Sequence, residues 1–79
     1  MTKVVVIGGS GFMGSHAADE LSNRGFKVTI LDTVVSKWLR PDQEMVVGDI
    51  LDQSVLDKTF LGAKYVYHYL YYVMNNMDA

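Results

Sequence analysis

Apolar and polar positions fall along this chain in blocks, short β-branched runs alternating with helix-like stretches. Val4, Val5, Val6 and Ile7 follow one another without a polar interruption, the pattern of a strand buried on both faces, and Lys3 to Ile7 is predicted as strand. Gly8-Gly9-Ser10-Gly11 breaks that run. A helix is then predicted from about Phe12 to Arg24, with Ala17 and Leu21 on its buried stripe and Asp19, Glu20 and Arg24 toward water. Gly25 is placed to stop it. Lys27 to Leu31 predicts a second strand ending at Asp32, and the polar residues Ser36, Lys37, Arg40, Pro41 and Asp42 make the next segment mostly loop, with a short helical turn allowed at Val35 to Leu39. Glu44 to Val47 reads as a third short strand, followed by Gly48-Asp49. Asp52 or Ser54 can cap a second helix through about Leu61, with Val55, Leu56, Thr59 and Phe60 on one face and Gly62 at its end. Lys64 to about Tyr72 is the last predicted strand, and residues 73–79 carry no firm signal.

Strands separated by such connections pair in parallel through right-handed crossovers. The expected fold class is therefore α/β, a partial doubly wound sheet of four parallel strands in the order 3-2-1-4, with two main helices. The fourth strand returns beside the first, where the topology reverses. Residues 1–79 read as one truncated domain that stops just after this switch point.

The strongest chemical signal is Gly8-Gly9-Ser10-Gly11-Phe12-Met13-Gly14, read as GxxGxxG on Gly8, Gly11 and Gly14 or as GxGxxG on Gly9, Gly11 and Gly14. The early glycines allow a tight turn that brings main-chain N–H groups close to a phosphate, and Gly14 lets the helix approach the sheet. The helix start adds free N–H groups and a positive dipole end. Glycines also mark ordinary turns, but a position between a buried strand and a helix favours a dinucleotide loop. Asp32 stands about 20 residues farther on, at a strand end, where a carboxylate accepts from ribose hydroxyls and repels a 2′-phosphate. The expected cofactor is NAD. The alternatives are a strand-end turn at Asp32, or a 2′-phosphate met by Lys37 or Arg40.

Composition narrows the possibilities further. Of 79 residues, 49% are hydrophobic and 20% charged, a globular balance in a chain with room for one small core. A net charge of −2 gives no general attraction to nucleic acid or an anionic membrane. With no cysteine there is no disulfide framework, thiolate chemistry or cysteine-bound zinc, and His16 and His68 have no ligand spacing between them, so no metal is expected. Neither a signal-like run nor a membrane span stands out, and the expected location is cytoplasmic. Trp38 reads as a local packing anchor.

Four passages together resemble the NAD-dependent epimerase/dehydratase family, the extended branch of the short-chain dehydrogenase/reductase superfamily. They are Val6 to His16, Val28 to Asp32, Val47 to Asp52 (Val-Gly-Asp-Ile-Leu-Asp), and Tyr65-Val66-Tyr67-His68. The resemblance implies the N-terminal part of a Rossmann-like NAD-binding domain from a sugar-nucleotide epimerase or dehydratase. It implies that main-chain groups at Phe12 and Met13 hold the pyrophosphate and that Asp32 holds the adenosine ribose. It also implies that Asp49 and Ile50 lie at the adenine edge, although Gly-Asp after a strand is otherwise a common turn. Departures from the family pattern are Ile7 in place of Thr, and Leu70 and Tyr71 where small residues make room for the pyrophosphate and nicotinamide ribose. The family's catalysis uses Ser or Thr with a Tyr-x-x-x-Lys pair, whose Tyr exchanges a proton with substrate. No tyrosine here is followed four residues later by Lys, so no catalytic residue is assigned and the chain alone is not expected to turn over substrate.

Tyr65, Tyr67, Tyr69 and Tyr71 recur at period two, which places them on one face of the last strand. An uncovered, uncharged aromatic edge is a template for pairing, and a homodimer through this strand is expected. The other reading is that the tyrosines pack on the chain's own helices or against a lost partner. Three functions are thus in play: an NAD-binding module, an enzyme completed by another chain, and an engineered or truncated self-associating module with weak or no cofactor binding.

Overall fold

The computed structural model of the protein describes residues 1–68. Tyr69, Leu70 and Tyr71, and the expected continuation of the last strand to Tyr72, lie outside the described residues. The elements in chain order are β1 (Lys3–Ile7), α1 (Phe12–Asn23), β2 (Lys27–Asp32), β3 (Gln43–Val47), α2 (Gln53–Phe60) and β4 (Ala63–His68). All strand pairs are parallel and the sheet order is β3-β2-β1-β4, the order expected.

The unbroken apolar run of β1 is explained by its position, with a strand on either side and a helix over each face. Val4 and Val6 pack with Val28, Ile30 and Ala18 beneath α1. Val5 and Ile7 pack with Leu31 on the other face, where Val55, Leu56 and Phe60 of α2 close over them. Each fully buried valine, isoleucine or leucine among them stabilises the fold by about 1.5–3 kcal/mol relative to exposure. The buried face of α1 is Gly14, Ser15 and Ala18, with Leu21 partly buried and Ala17 only half-buried. The expected Ala17 stripe is thus displaced by one residue, because the helix sits so close to the sheet that its smallest side chains face inward.

The helix ends follow local chemistry. Beyond α1, the Phe26 N–H donates to the Leu21 carbonyl and the Gly25 N–H to that of Ser22, with Gly25 at φ +93° and Leu21 and Phe26 on the same core. This is a Schellman stop with its usual apolar contact. Asp52 caps α2 by accepting from the Ser54 N–H at 3.0 Å. The Ser54 hydroxyl and amide hold the Asp52 carboxyl below its ordinary pKa, since both donors favour the charged form.

Between β2 and β3 no helical turn forms at Val35 to Leu39. Ser36 is buried there and accepts the Trp38 N–H at 3.1 Å, which sets a tight turn instead. In β4 the pairing with β1 shifts register after Lys3, so Tyr65 and Tyr67 stand opposite Val4 and Val6, on the α1 side of the sheet. No helix among the described residues is long and apolar enough to cross a membrane.

Candidate functional site

The carboxyl ends of β1, β2 and β3 meet along one edge, and the residues singled out from the sequence gather there. Gly8 turns the chain off β1 at φ +81°, a conformation that favours glycine, while its N–H still donates to the Leu31 carbonyl at 2.9 Å. Gly14 lies against this turn. A Cβ on Gly14 would press into the Gly8 carbonyl oxygen and come 2.9 Å from the Gly9 Cα, so main chain packs on main chain. Helix and loop are therefore held at a separation that only glycine permits at this position.

Gly11 is the N-cap of α1, in extended conformation, and contributes no side-chain cap. The first helical bond runs from the Ser15 N–H to the Gly11 carbonyl at 2.8 Å, so the N–H groups of Phe12, Met13 and Gly14 precede the helical ladder. Space around the Gly11 Cβ position is open to 4 Å. The two helices thus differ: a carboxylate closes the start of α2, whereas the start of α1 is bare and carries the partial positive charge of the helix end.

The Asp32 carboxylate is turned toward that start. Its Oδ2 accepts the Ser10 N–H at 3.1 Å, and its Oδ1 accepts the Thr33 N–H at 2.7 Å and the Thr33 hydroxyl at 3.4 Å. Oδ2 keeps a lone pair for a further donor, and the 3.4 Å bond from the Thr33 hydroxyl is the weaker of the two on Oδ1. Beside it, the Gly48 N–H donates to the Asp32 carbonyl at 3.0 Å, which brings the segment after β3 to the same edge. Asp49 is exposed there and bends over its own chain, its Oδ1 accepting the Leu51 N–H at 2.8 Å. Ile50 is half-buried and packs into the α2-side core, leaving its main chain at the edge. Gly8, Gly11, Phe12, Met13, Gly14, Asp32, Asp49 and Ile50 thus fall on one side of the molecule.

Arg40 does not join them. Its guanidinium binds Asp42 at 2.8 Å and Asn23 at 2.8 Å, at the opposite ends of the strands. Gln43, next to it in space, pairs with Val28, four residues before Asp32 and so about 13 Å away along the strand. A 2′-phosphate at the Asp32 ribose position therefore has no Arg40 to meet.

Two residues at or near the site, and one at the opposite end of the strands, were not legible as such. Ser10 is 6% exposed, and its hydroxyl donates to the Val34 carbonyl at 2.6 Å. The ring of Trp38 packs edge-on against Phe12 at 5.6 Å, and Phe12 in turn lies edge-on to His16 at 4.5 Å. Gln43, at the far edge, is buried and binds Asp19 at 2.9 Å and Ser22 at 3.1 Å, tying α1 to β3. None of these contacts follows a sequence period; only the rarity of a serine inside a glycine run could have drawn attention to Ser10.

A family model, that of the NAD dependent epimerase/dehydratase family, matches residues 4–78. The chain is 35% identical over 66 residues to sterol-4-alpha-carboxylate 3-dehydrogenase, decarboxylating, of Mus musculus, covering 84% of this chain and 18% of that protein. It is 32% identical over 77 residues to the bifunctional UDP-glucose 4-epimerase and UDP-xylose 4-epimerase 1 of Pisum sativum, covering 80% of this chain and 22% of the relative. The solved structure of UDP-glucose 4-epimerase from Brucella ovis in complex with NAD superposes with a TM-score of 0.77 at 34% identity, over 86% of this chain and 22% of that one. The chain therefore spans about a fifth of the length of the curated relatives it matches.

Proposed function

Since the chain belongs to the NAD dependent epimerase/dehydratase family, we propose that its glycine loop, Asp32 and residues 49–50 form an NAD(H) site. The observation that carries this reading is the Asp32 carboxylate, drawn by the Ser10 N–H toward an uncapped helix start. The cradle fits the group: Gly8, Gly9 and Gly14 are packed main chain to main chain, and the Gly11 Cβ position opens on free space. In this reading the Phe12 and Met13 N–H groups donate to the diphosphate, with the dipole of α1 behind them. Asp32 accepts from the adenosine ribose hydroxyls and disfavours a 2′-phosphate by like charge, hence NAD over NADP. Asp49 and Ile50 border the adenine, the free carboxylate oxygen of Asp49 accepting from the exocyclic amine.

Bound there, the nicotinamide would supply reversible hydride transfer. The chain's residues bind and orient; the Tyr-x-x-x-Lys pair is absent from its sequence, so we read it as the dinucleotide-binding portion of a sugar-nucleotide epimerase or dehydratase without turnover of its own. The test is an NADH titration followed by energy transfer from Trp38, the single tryptophan, which packs against Phe12. Saturation in wild type and a loss of about 10- to 100-fold in Asp32→Ala are expected, from removal of hydrogen bonds to a charged acceptor. No saturation by millimolar ligand would leave only the structural-module reading.

A second reading concerns self-association. Among the described residues β4 is an outer strand of the sheet, and Tyr65 is 52% and Val66 48% exposed. Both line an apolar groove of about 390 Å³ with Val4, Leu21 and Phe26. These exposures support a homodimer through β4, with Tyr65 and Tyr67 in the contact; Tyr69 and Tyr71 fall outside the described residues.

A further inference from the structure

Ser10 makes two bonds that reach either side of a single residue. Its main-chain N–H donates to the Asp32 side chain at 3.1 Å, and its side-chain hydroxyl donates to the Val34 main chain at 2.6 Å. Between them Thr33 grips the other carboxylate oxygen through its own N–H and hydroxyl. The segment 32–34 is therefore pinned to the glycine loop at both ends, and the carboxylate is oriented by three donors. Ser10 has little freedom to do otherwise: it is only 6% exposed, and the Met45 sulfur lies 3.8 Å from its hydroxyl. The hydroxyl's one proton goes to the Val34 carbonyl, which ties the residue after Thr33 to the glycine loop.

We infer that Ser10 is a positioning residue for recognition of a vicinal ribose diol. It holds the Asp32 carboxylate so that Oδ2 accepts one bond and keeps a lone pair, while on Oδ1 the Thr33 hydroxyl at 3.4 Å is the weaker donor and the one that a second, adjacent sugar hydroxyl would displace. This deepens the NAD reading and rests on it. Ser10 itself touches no ligand in this account. It acts through the loop after β2, so its effect depends on both Asp32 and the diol being present.

The test measures ADP and 2′,3′-dideoxy-ADP binding by calorimetry on the full chain, with wild type, Ser10→Ala, Asp32→Ala and the double variant. Ser10→Ala is expected to weaken ADP by about 3- to 10-fold, the worth of one net hydrogen bond. It should leave dideoxy-ADP within about 2-fold, and add less than about 2-fold on the Asp32→Ala background, as coupled partners do. Binding stoichiometry reports the folded fraction of each variant, so a folding defect is separated from a change in affinity. An equal loss for both nucleotides, or the same loss with and without Asp32, would make Ser10 an ordinary structural residue and overturn the inference. So would unchanged ADP affinity in Ser10→Ala. If wild type binds neither ADP nor NADH, it is the NAD reading that fails.

Discussion

Replacing Gly14 by alanine puts a methyl group where the structure has main chain. The new carbon would press into the Gly8 carbonyl oxygen and sit 2.9 Å from the Gly9 Cα and 3.3 Å from the Gly8 carbonyl carbon. Ordinary contact begins near 3.4 Å, so α1 must retreat from the turn by at least about 0.5 Å, and no flexible side chain is present to absorb the strain. Overpacking of this kind costs about 1–3 kcal/mol, and the backbone partners argue for the upper end. Alanine recovers about 1 kcal/mol of helix propensity. The net loss is about 2 kcal/mol, from a total of about 4–12 kcal/mol for a chain this long. At about 4–8 °C per kcal/mol, the melting temperature should fall by about 8–16 °C. Gly11→Ala is the control. Nothing lies within 4 Å of its Cβ position and its φ of −72° suits any residue. Weaker N-capping and a stiffer unfolded chain then nearly offset each other. Thermal unfolding by circular dichroism should find Gly11→Ala within about 3 °C of wild type, while NADH titration shows it weakened because the methyl group intrudes on the diphosphate. A Gly14→Ala protein that melts with wild type, or below which Gly11→Ala melts, would refute the packing argument.

Other outcomes follow from particular contacts. Gln43→Ala removes the bonds to Asp19 and Ser22 and the acceptor of the Arg40 N–H, and should destabilise by about 2–4 kcal/mol in urea titration while leaving NADH affinity nearly unchanged, because Gln43 lies at the far end of the strands. Asp52 has a folded pKa below 3.8, so its cap contributes in full above that value and is lost as pH falls through the lower folded value. The melting difference between wild type and Asp52→Ala should therefore be largest near neutrality and shrink below pH ~3.8. Tyr65→Lys, a charge on an outer strand, should shift sedimentation toward monomer; a wild type that is already monomeric at high micromolar concentration removes the dimer reading.

What could be read from the sequence was whatever has a period or a stop. The run Val4 to Ile7 is apolar throughout because both its faces are covered, and Gly25, Asp52 and Gly62 mark helix ends through local geometry that one residue type suits. Gly14 was legible because the need for a missing Cβ accompanies a strand-loop-helix order. The inward face of α1 was misjudged because apolarity was sought there, whereas close approach selects small residues, Gly14, Ser15 and Ala18. The turn at Ser36 and the hub at Gln43 depend on polar side chains meeting partners distant in sequence, and the bond from Ser10 to Val34 spans 24 positions. Such contacts leave no mark on any local pattern. For the candidate site, the positions of the glycines and Asp32 were visible in advance, while what aims the Asp32 carboxylate was not.

The bare beginning of α1 has a consequence for how long the polypeptide survives. Amides that a bound anion satisfies are amides that otherwise depend on water alone, so occupancy and resistance to unfolding become one quantity. A ligand present at a hundred times its dissociation constant adds about 2.7 kcal/mol to the native state, comparable with a large share of what a chain of this length possesses. Proteases act on the opened form, so its population falls by the same factor of about a hundred. Degradation of the polypeptide in a cell would then slow as nucleotide supply rises and quicken as it falls, making its abundance a gauge of metabolic state.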